Sequence, residues 1–394
     1  MKRTRGRIVH VESLADLDRR LAAGARRLSG WRVRSVDLTD RTAELQDCRV
    51  AGASFLGCSF APGVADRLSA AGALVLPTIA DVPVEVHRSG LYTAAELYDT
   101  TSYEQSLDAR AYGWAQKPGD AGAELAKTLH DHAIDQALQA WTTEQRGTAG
   151  IVGVMGGHAG LRGEQGYAEA ARLGHLLGTR HVVASGGGPG AMEAANLGAR
   201  LAGRPAEDLE GALAELAAVP SYRPSVTAWA GAARAVVARF PGDRETLGIP
   251  TWHYGHEPPN LFATAIAKYF RNAVRESVLL EVCDAGIVFL PGAAGTVQEV
   301  FQDACENYYA DEASVAPMVL VGEEHWTRTL PAWPLLQALA RGRAMEPYVY
   351  LADTVEEAAE LIGARTARRA PASATTSTTS APAASAAPTH SGEV

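Results

Sequence analysis

Phe289-Leu290-Pro291-Gly292-Ala293-Ala294-Gly295-Thr296-Val297-Gln298-Glu299 decides how the rest of this chain is read. The apolar run Ala285–Leu290 predicts a buried strand. It stops at a Pro-Gly turn, and a helix is expected from Gly295-Thr296 onward. Amides at such a turn and helix start have no partner inside the helix, so they form a ready anion site. Glu299 falls about one helical turn inside that start, where its carboxylate can face whatever the turn holds. A second stretch repeats the arrangement. Val182-Val183-Ala184-Ser185 predicts a strand, Gly186-Gly187-Gly188-Pro189-Gly190 a turn, and Ala191-Met192-Glu193-Ala194-Ala195-Asn196 a helix. Successive glycines let a phosphate or ribose approach the backbone with no Cβ in the way. Neither turn is a Walker A loop, nor a G-x-G-x-x-G after the first strand, which argues against a dinucleotide cofactor.

Working outward, strand and helix patterns alternate from Gly150. Strands are expected at 151–155, 182–185, 247–252, 285–290, 318–321 and 348–351. Helices are expected at 166–177, across 197–218, at 228–239 and over a long run from Leu261 to Val282. The pattern is that of an α/β fold, a doubly wound (Rossmann-like) parallel sheet, which takes ligands at the C-terminal ends of its strands. This domain is placed at 116–365 and opens with a long helix, Asp120–Gln145. His130 and His132 lie two apart on it and face different sides, which argues against a metal pair.

The N-terminal region, 1–115, follows another rule. Ser13-Leu14-Ala15-Asp16 is an N-cap signature with Leu17, Leu21 and Leu28 on one helix face. Within 36–60, Leu45, Val50, Phe55 and Phe60 recur every five residues. Two residues before each stands a small side chain, Ala43, Cys48, Ala53 or Cys58. This resembles pentapeptide repeats, in which a square β-helix stacks such residues inward. The tail, 366–394, is rich in Ala, Ser, Thr and Pro and predicts disorder.

The 394 residues are 47% hydrophobic and carry a net charge of −9. That balance supplies ample core and argues against wholesale binding to nucleic acid or to an anionic membrane. No run approaches a membrane span and no signal peptide is visible, so a cytoplasmic location is expected. Cys48, Cys58, Cys283 and Cys305 include no Cys-x-x-Cys pair and read as reduced, buried thiols.

Pro291–Glu299 resembles the PGGxGTxxE motif of the LONELY GUY (LOG) family, whose members often carry a lysine decarboxylase label. Gly187-Gly188-Pro189-Gly190-Ala191-Met192-Glu193-Ala194 and Glu257-Pro258-Pro259-Asn260 are more specifically similar to the bacterial nucleotide 5′-monophosphate nucleosidases of that superfamily. The resemblance covers about 151–362. It implies hydrolysis of the N-glycosidic bond of a nucleoside monophosphate, with no metal and no cofactor, by a homodimer or larger assembly. It places the catalytic pair on Glu299 and Arg275. Arg275 stands one residue further from the motif proline than is usual, and Arg271 is the alternative. It also implies phosphate and ribose binding by Gly186, Gly187, Gly188, Gly190 and Met192 of one turn, and by Gly292, Ala293, Gly295 and Thr296 of the other. Glu257 and Asn260 would frame the base. Ala293 departs from the family's glycine, so its methyl group could displace the phosphate or demand a negative φ.

The chemistry can be argued from the residues themselves. Breaking a ribosyl C–N bond builds positive charge on the sugar. A carboxylate beside C1′ stabilises that charge and can deprotonate water. An arginine can grip phosphate or fix that carboxylate. His253, His256 and Glu257 lack a third, same-face metal ligand. Trp252 or Tyr254 in that loop could stack on the base. The decarboxylase label needs a lysine for pyridoxal phosphate. Only Lys268 lies in the alternating strand–helix stretch from Gly150, on the expected 261–282 helix, and the label is rejected. The other reading is a non-catalytic nucleotide sensor or carrier, which would need the glycines but not the Glu299–Arg275 pair.

Overall fold

The computed structural model describes residues 8–145, 150–253 and 257–369. Residues 1–7, Tyr254, His256 and the tail 370–394 lie outside them, and with them the expectations of a stacking Tyr254 and a disordered tail. The chain builds two parallel sheets with separate cores. Among the described residues no helix is long and apolar enough to cross a membrane.

The first sheet is a coil of strand–helix units. Strands β1 (Val9–Val11), β2 (Trp31–Arg34), β3 (Ser54–Leu56) and β4 (Leu74–Leu76) alternate with helices α1 (Leu14–Ala22), α2 (Thr42–Gln46) and α3 (Val64–Ala70). The strands pair in chain order. Register partners lie 22 residues apart from β1 to β2 (Val9 beside Trp31) and from β2 to β3 (Arg32 beside Ser54). The step is 20 from β3 to β4 (Ser54 beside Leu74). The five-residue period is therefore corrected to a rung of about 22 residues, the size of a leucine-rich-repeat unit. Residues 42–46 are helical, which a square β-helix would not allow. Leu45, Val50 and Phe55 do point inward and Phe60 packs against the same core. They belong to different faces of one rung rather than to four equivalent corners. The stacked positions are Leu28 with Val50, Val33 with Phe55 and Val75, and Val36 with Cys58.

The segment after β4 belongs to the second core. Tyr92, Leu97, Tyr98 and Tyr103 join the large cluster, so the division falls before residue 92 rather than at 115. Helices α4 (Ala94–Leu97), α5 (Leu107–Ala115) and α6 (Ala121–Gln145) lead into the larger sheet. Its strands are β5 (Ile151–Met155), β6 (Val182–Ser185), β7 (Thr246–Gly248), β8 (Ala265–Ile266), β9 (Gly286–Phe289), β10 (Met318–Val321) and β11 (Val349–Ala352). All are parallel, in the order β11-β10-β9-β5-β6-β7-β8. Helices α7 (Gln165–Leu177), α8 (Ala191–Arg200), α9 (Ala206–Leu216) and α10 (Val226–Arg239) fill the first half. The second half holds α11 (Asn272–Glu281), α12 (Ala294–Tyr309), α13 (Ala332–Ala340) and α14 (Val355–Arg369). β5, β6, β9 and β10 are buried on both faces, so their sequences are continuous apolar runs.

Three further expectations are corrected. The helix from Leu261 is replaced by β8 and an extended stretch, and only Asn272–Glu281 is helical. A run buried on every side carries no periodicity to separate strand from helix. The last helix runs to Arg369, past the residue-365 boundary. Cys58 and Cys283 are buried free thiols, but Cys48 is half-buried and Cys305 exposed.

Candidate functional site

β5 lies between β9 and β6, and the chain winds outward from it in both directions. Such a switch point leaves a crevice beyond the strand ends. Three loops meet there. The Ala191 amide donates to Gly157 O at 3.1 Å, which ties the loop after β5 to the start of α8. On its other side the same loop touches the second turn: a Cβ built on Gly157 would stand 3.6 Å from Pro291 O.

The second turn is the open one. Ala293 is the N-cap of α12 with φ −116° and ψ −143°. Its methyl group is thus accommodated at negative φ, and the departure from glycine introduces no backbone strain. The first bond of the helix runs from Val297 N–H to Ala293 O at 3.0 Å. The amides of Ala294, Gly295 and Thr296 therefore have no acceptor within the helix. Ala293, Ala294 and Gly295 are exposed, while Thr296 is buried with its hydroxyl against Gly292. His325 brings its Nε2 within 3.1 Å of Gly292 O, a contact nothing in the motif announced.

Glu299 stands one turn further along α12. Its side chain is 15% exposed, and Oε1 lies 3.9 Å from Arg275 Nη1. Burial pushes its carboxyl up to about 7; Arg275 opposes the rise and Glu276 adds to it. Arg275, on α11, is held by backbone carbonyls. Nε donates to Ile249 O at 2.7 Å and Nη2 to Gly186 O at 3.2 Å. Its guanidinium thus joins the ends of β6 and β7 to α12 and keeps Nη1 for Glu299. Arg271, the alternative, is half exposed and faces Glu124 at 3.9 Å.

The first turn is packed by the protein itself. Gly186 lies against Arg275 and the Met192 thioether, and Gly188 against Met192 with Glu257 Oε2 just beyond. Glu257 is 31% exposed and 3.7 Å from His158 Nδ1, so it borders the crevice. Asn260 is fully buried and works as a clamp. Its amide N–H donates to Gly187 O at 2.8 Å. Its Nδ2 donates to Asn196 Oδ1 at 2.9 Å, and its Oδ1 accepts the Phe262 and Ala263 amides, each at 3.1 Å. Ser185 joins the same network through Asn196 at 2.7 Å. Trp252, expected to stack on a base, is a core residue. Its indole N–H donates to Asp108 at 2.8 Å, and its ring stacks on Phe270 at 4.5 Å. Lys268 lies in extended chain, 1% exposed, with Nζ 2.5 Å from Asp108 Oδ1.

One buried ion pair went unread in the sequence. Arg162 and Glu193, each 1% exposed, form a two-pronged pair, and the guanidinium lies 4.6 Å from the centre of the Trp229 ring. Glu193 sits in the first turn of α8, and Arg162 fixes it from the loop before α7. Their separation of 31 residues left no local signal. Beside them a cleft of about 230 Å³ abuts the first turn, between His158, Pro189, Tyr222 and Arg223.

No family model and no curated protein matches this chain. Solved structures do match. The molybdenum cofactor carrier protein MCP from Chlamydomonas reinhardtii is 17% identical over 56% of this chain and 99% of that one, with a TM-score of 0.35. A structural genomics target, TM1055, is 18% identical over 55% of this chain and 99% of that one, with a TM-score of 0.33. Likenesses at this level carry no argument about chemistry.

Proposed function

We propose that this protein hydrolyses the N-glycosidic bond of nucleoside 5′-monophosphates, giving free base and ribose 5-phosphate, as its motif resemblance to the LOG superfamily implies. The observation that carries the reading is the Glu299 carboxylate, sheltered at the crevice and aimed at Arg275 3.9 Å away. A binding protein has no use for a carboxyl beside an anion site, since ionised it repels the phosphate. A hydrolase does: the group takes a proton from water and its charge stabilises the cationic sugar.

In the proposed cycle the phosphate rests on the free amides of Ala294, Gly295 and Thr296, and the ribose extends over the crevice. Water attacks C1′ as the C–N bond breaks. The bonding pair leaves with the base, which takes up a proton from solvent; Glu299 receives the proton lost by water and releases it to solvent, which restores the carboxylate. Arg275 acts by holding Glu299 in place. Phosphate binding aligns C1′ with the carboxylate, so nucleosides should be poor substrates.

The experiment is release of free base from matched nucleoside monophosphates and nucleosides, followed by chromatography for wild type and Glu299→Gln. Two or three charge-assisted hydrogen bonds at about 1.5–3 kcal/mol each imply a monophosphate preference of at least several hundredfold. Equal rates would remove the phosphate argument. Tight nucleotide binding with no base released from any substrate would establish the carrier reading instead.

A further inference from the structure

The outward face of the small sheet carries a group of cations that lacks matched anions. Alternation along β2 buries Val33 and sends Arg32 and Arg34 to the other face. Pairing places His10 beside Arg32. Helix α6 covers this face. Arg32 Nη1 donates to Gln136 Oε1 at 2.7 Å, and Arg34 Nη2 reaches the same oxygen at 3.4 Å. Two guanidinium groups thus share one neutral acceptor.

Arg34 has a side chain only 6% exposed, and its nearest carboxylate is Glu12, 3.8 Å from Nη1 and half exposed. Nη1 donates to His10 Nδ1 at 2.8 Å. Nε is buried and has no partner among the described residues. His87, 6% exposed, adds a second such atom, Nε2. A Cβ built on Gly57 would stand 3.5 Å from Ser35 Oγ and 3.8 Å from His87 Nε2, so the second orphan lies beside the residue that follows Arg34. Glu85, the other acid there, is exposed and accepts the Ser35 hydroxyl at 2.6 Å. Among the described residues no carboxylate lies within 4.0 Å of Arg32. A buried cation whose one carboxylate stands 3.8 Å away and half in solvent, next to unpaired polar atoms, is costly unless something fills the place.

We propose that the seam between the N-terminal coil and α6 binds a small phosphate-type anion, either an inorganic phosphate or a phosphate ester. Its tetrahedral oxygens accept from Arg34 Nε and from the free donors of Arg32, which is the recognition guanidinium groups suit best. The site is separate from the glycine turns and does not rest on the hydrolase reading.

The test uses the full chain and the imidazole NMR signals of His10 and His87, assigned through His10→Gln and His87→Gln. Sodium phosphate, pyrophosphate and a nucleoside monophosphate are titrated at ionic strength held constant with chloride. Both signals are expected to shift together and saturably, and the tightest of the three names the form of phosphate. Arg32→Gln, at a partly exposed position that folding should tolerate, is expected to weaken binding at least tenfold, with Arg32→Lys in between. Signals that stay still at millimolar anion, that follow chloride equally, or that titrate unchanged in Arg32→Gln would each overturn the proposal.

Discussion

A methyl group added at Gly190 would come within 2.6 Å of Gly157 O, whereas one added at Gly295 would meet nothing within 4 Å. Both residues sit in a glycine turn after a strand of the same sheet, and both turns start a helix. The first turn has been filled by the protein. Arg275 and Met192 occupy the space over Gly186, Pro250 presses on Gly187, and Gly187 and Gly190 hold φ of 73° and 72°. The second turn is exposed and already tolerates an alanine at 293. A glycine-rich motif can therefore record close packing of a chain on itself, or room left for a ligand. Only the surroundings tell the two apart, and here they leave room chiefly at the second turn.

The largest effect that could break this comparison lies in the first turn. Gly190→Ala combines a backbone clash with a φ that only glycine holds easily, and it should cost about 3–5 kcal/mol. Thermal or urea unfolding measures it. A variant as stable as wild type would mean that the first turn is as open as the second.

Turnover is the next measure. Glu299→Gln keeps the shape and removes the charge, so base release should fall by about 10²–10⁴, with nucleotide binding nearly unchanged. Wild-type kcat/KM should rise with pH through an apparent pKa near 7, the position burial gives this carboxyl. An acidic limb at the ordinary 4.5 would place the active base elsewhere.

The same carboxyl makes a stability prediction whose sign can be worked out. Its folded pKa, about 7, lies above the ordinary 4.5, so the folded state holds the proton more tightly. The cost of the buried carboxylate is absent below the lower value, grows between the two and is complete above 7. Glu299→Gln should therefore stabilise the protein at about pH 8, by at most roughly 3 kcal/mol, and by nothing near pH 4. Denaturant melts of both proteins across that window test it. A gain that is constant with pH would show that the carboxyl does not titrate there.

Much of this difference was beyond the reach of the sequence, and for particular reasons. The strands at 151–155, 182–185 and 318–321 were legible because double burial leaves unbroken apolar runs bounded by glycine or proline. That Glu299 would face an arginine from the preceding helix was legible from the motif, since the two helices flank one strand. Which arginine faces the carboxylate needed the structure, because a one-residue offset rotates a helical side chain by about 100°. Asn260 read as a ligand residue because a polar side chain in a Pro-rich loop gives no sign of being fully buried. The five-residue period misled for a related reason. Leu45, Val50 and Phe55 all point inward, but from a helix, a corner and a strand. Only alignment at 22 residues shows the true unit, with Val33 over Phe55.

The smallest effect sharpens the comparison most, because it asks whether the second turn is as open as its geometry indicates. Ala293 has φ −116°, a value any residue adopts, and it is exposed. A glycine at this position gains no needed conformational freedom and loosens the unfolded chain. Ala293→Gly should then lower stability by about 0.5–1 kcal/mol and leave kcat/KM within roughly threefold, which is under 1 kcal/mol in the barrier. Gly295→Ala should likewise leave folding intact, since its new methyl group meets nothing within 4 Å. If Ala293→Gly instead raised kcat/KM tenfold or more, the methyl group would be obstructing the phosphate. The turn would then be open to solvent but partly closed to its ligand, and the protein would be a hindered enzyme rather than one fully adapted to alanine at this position.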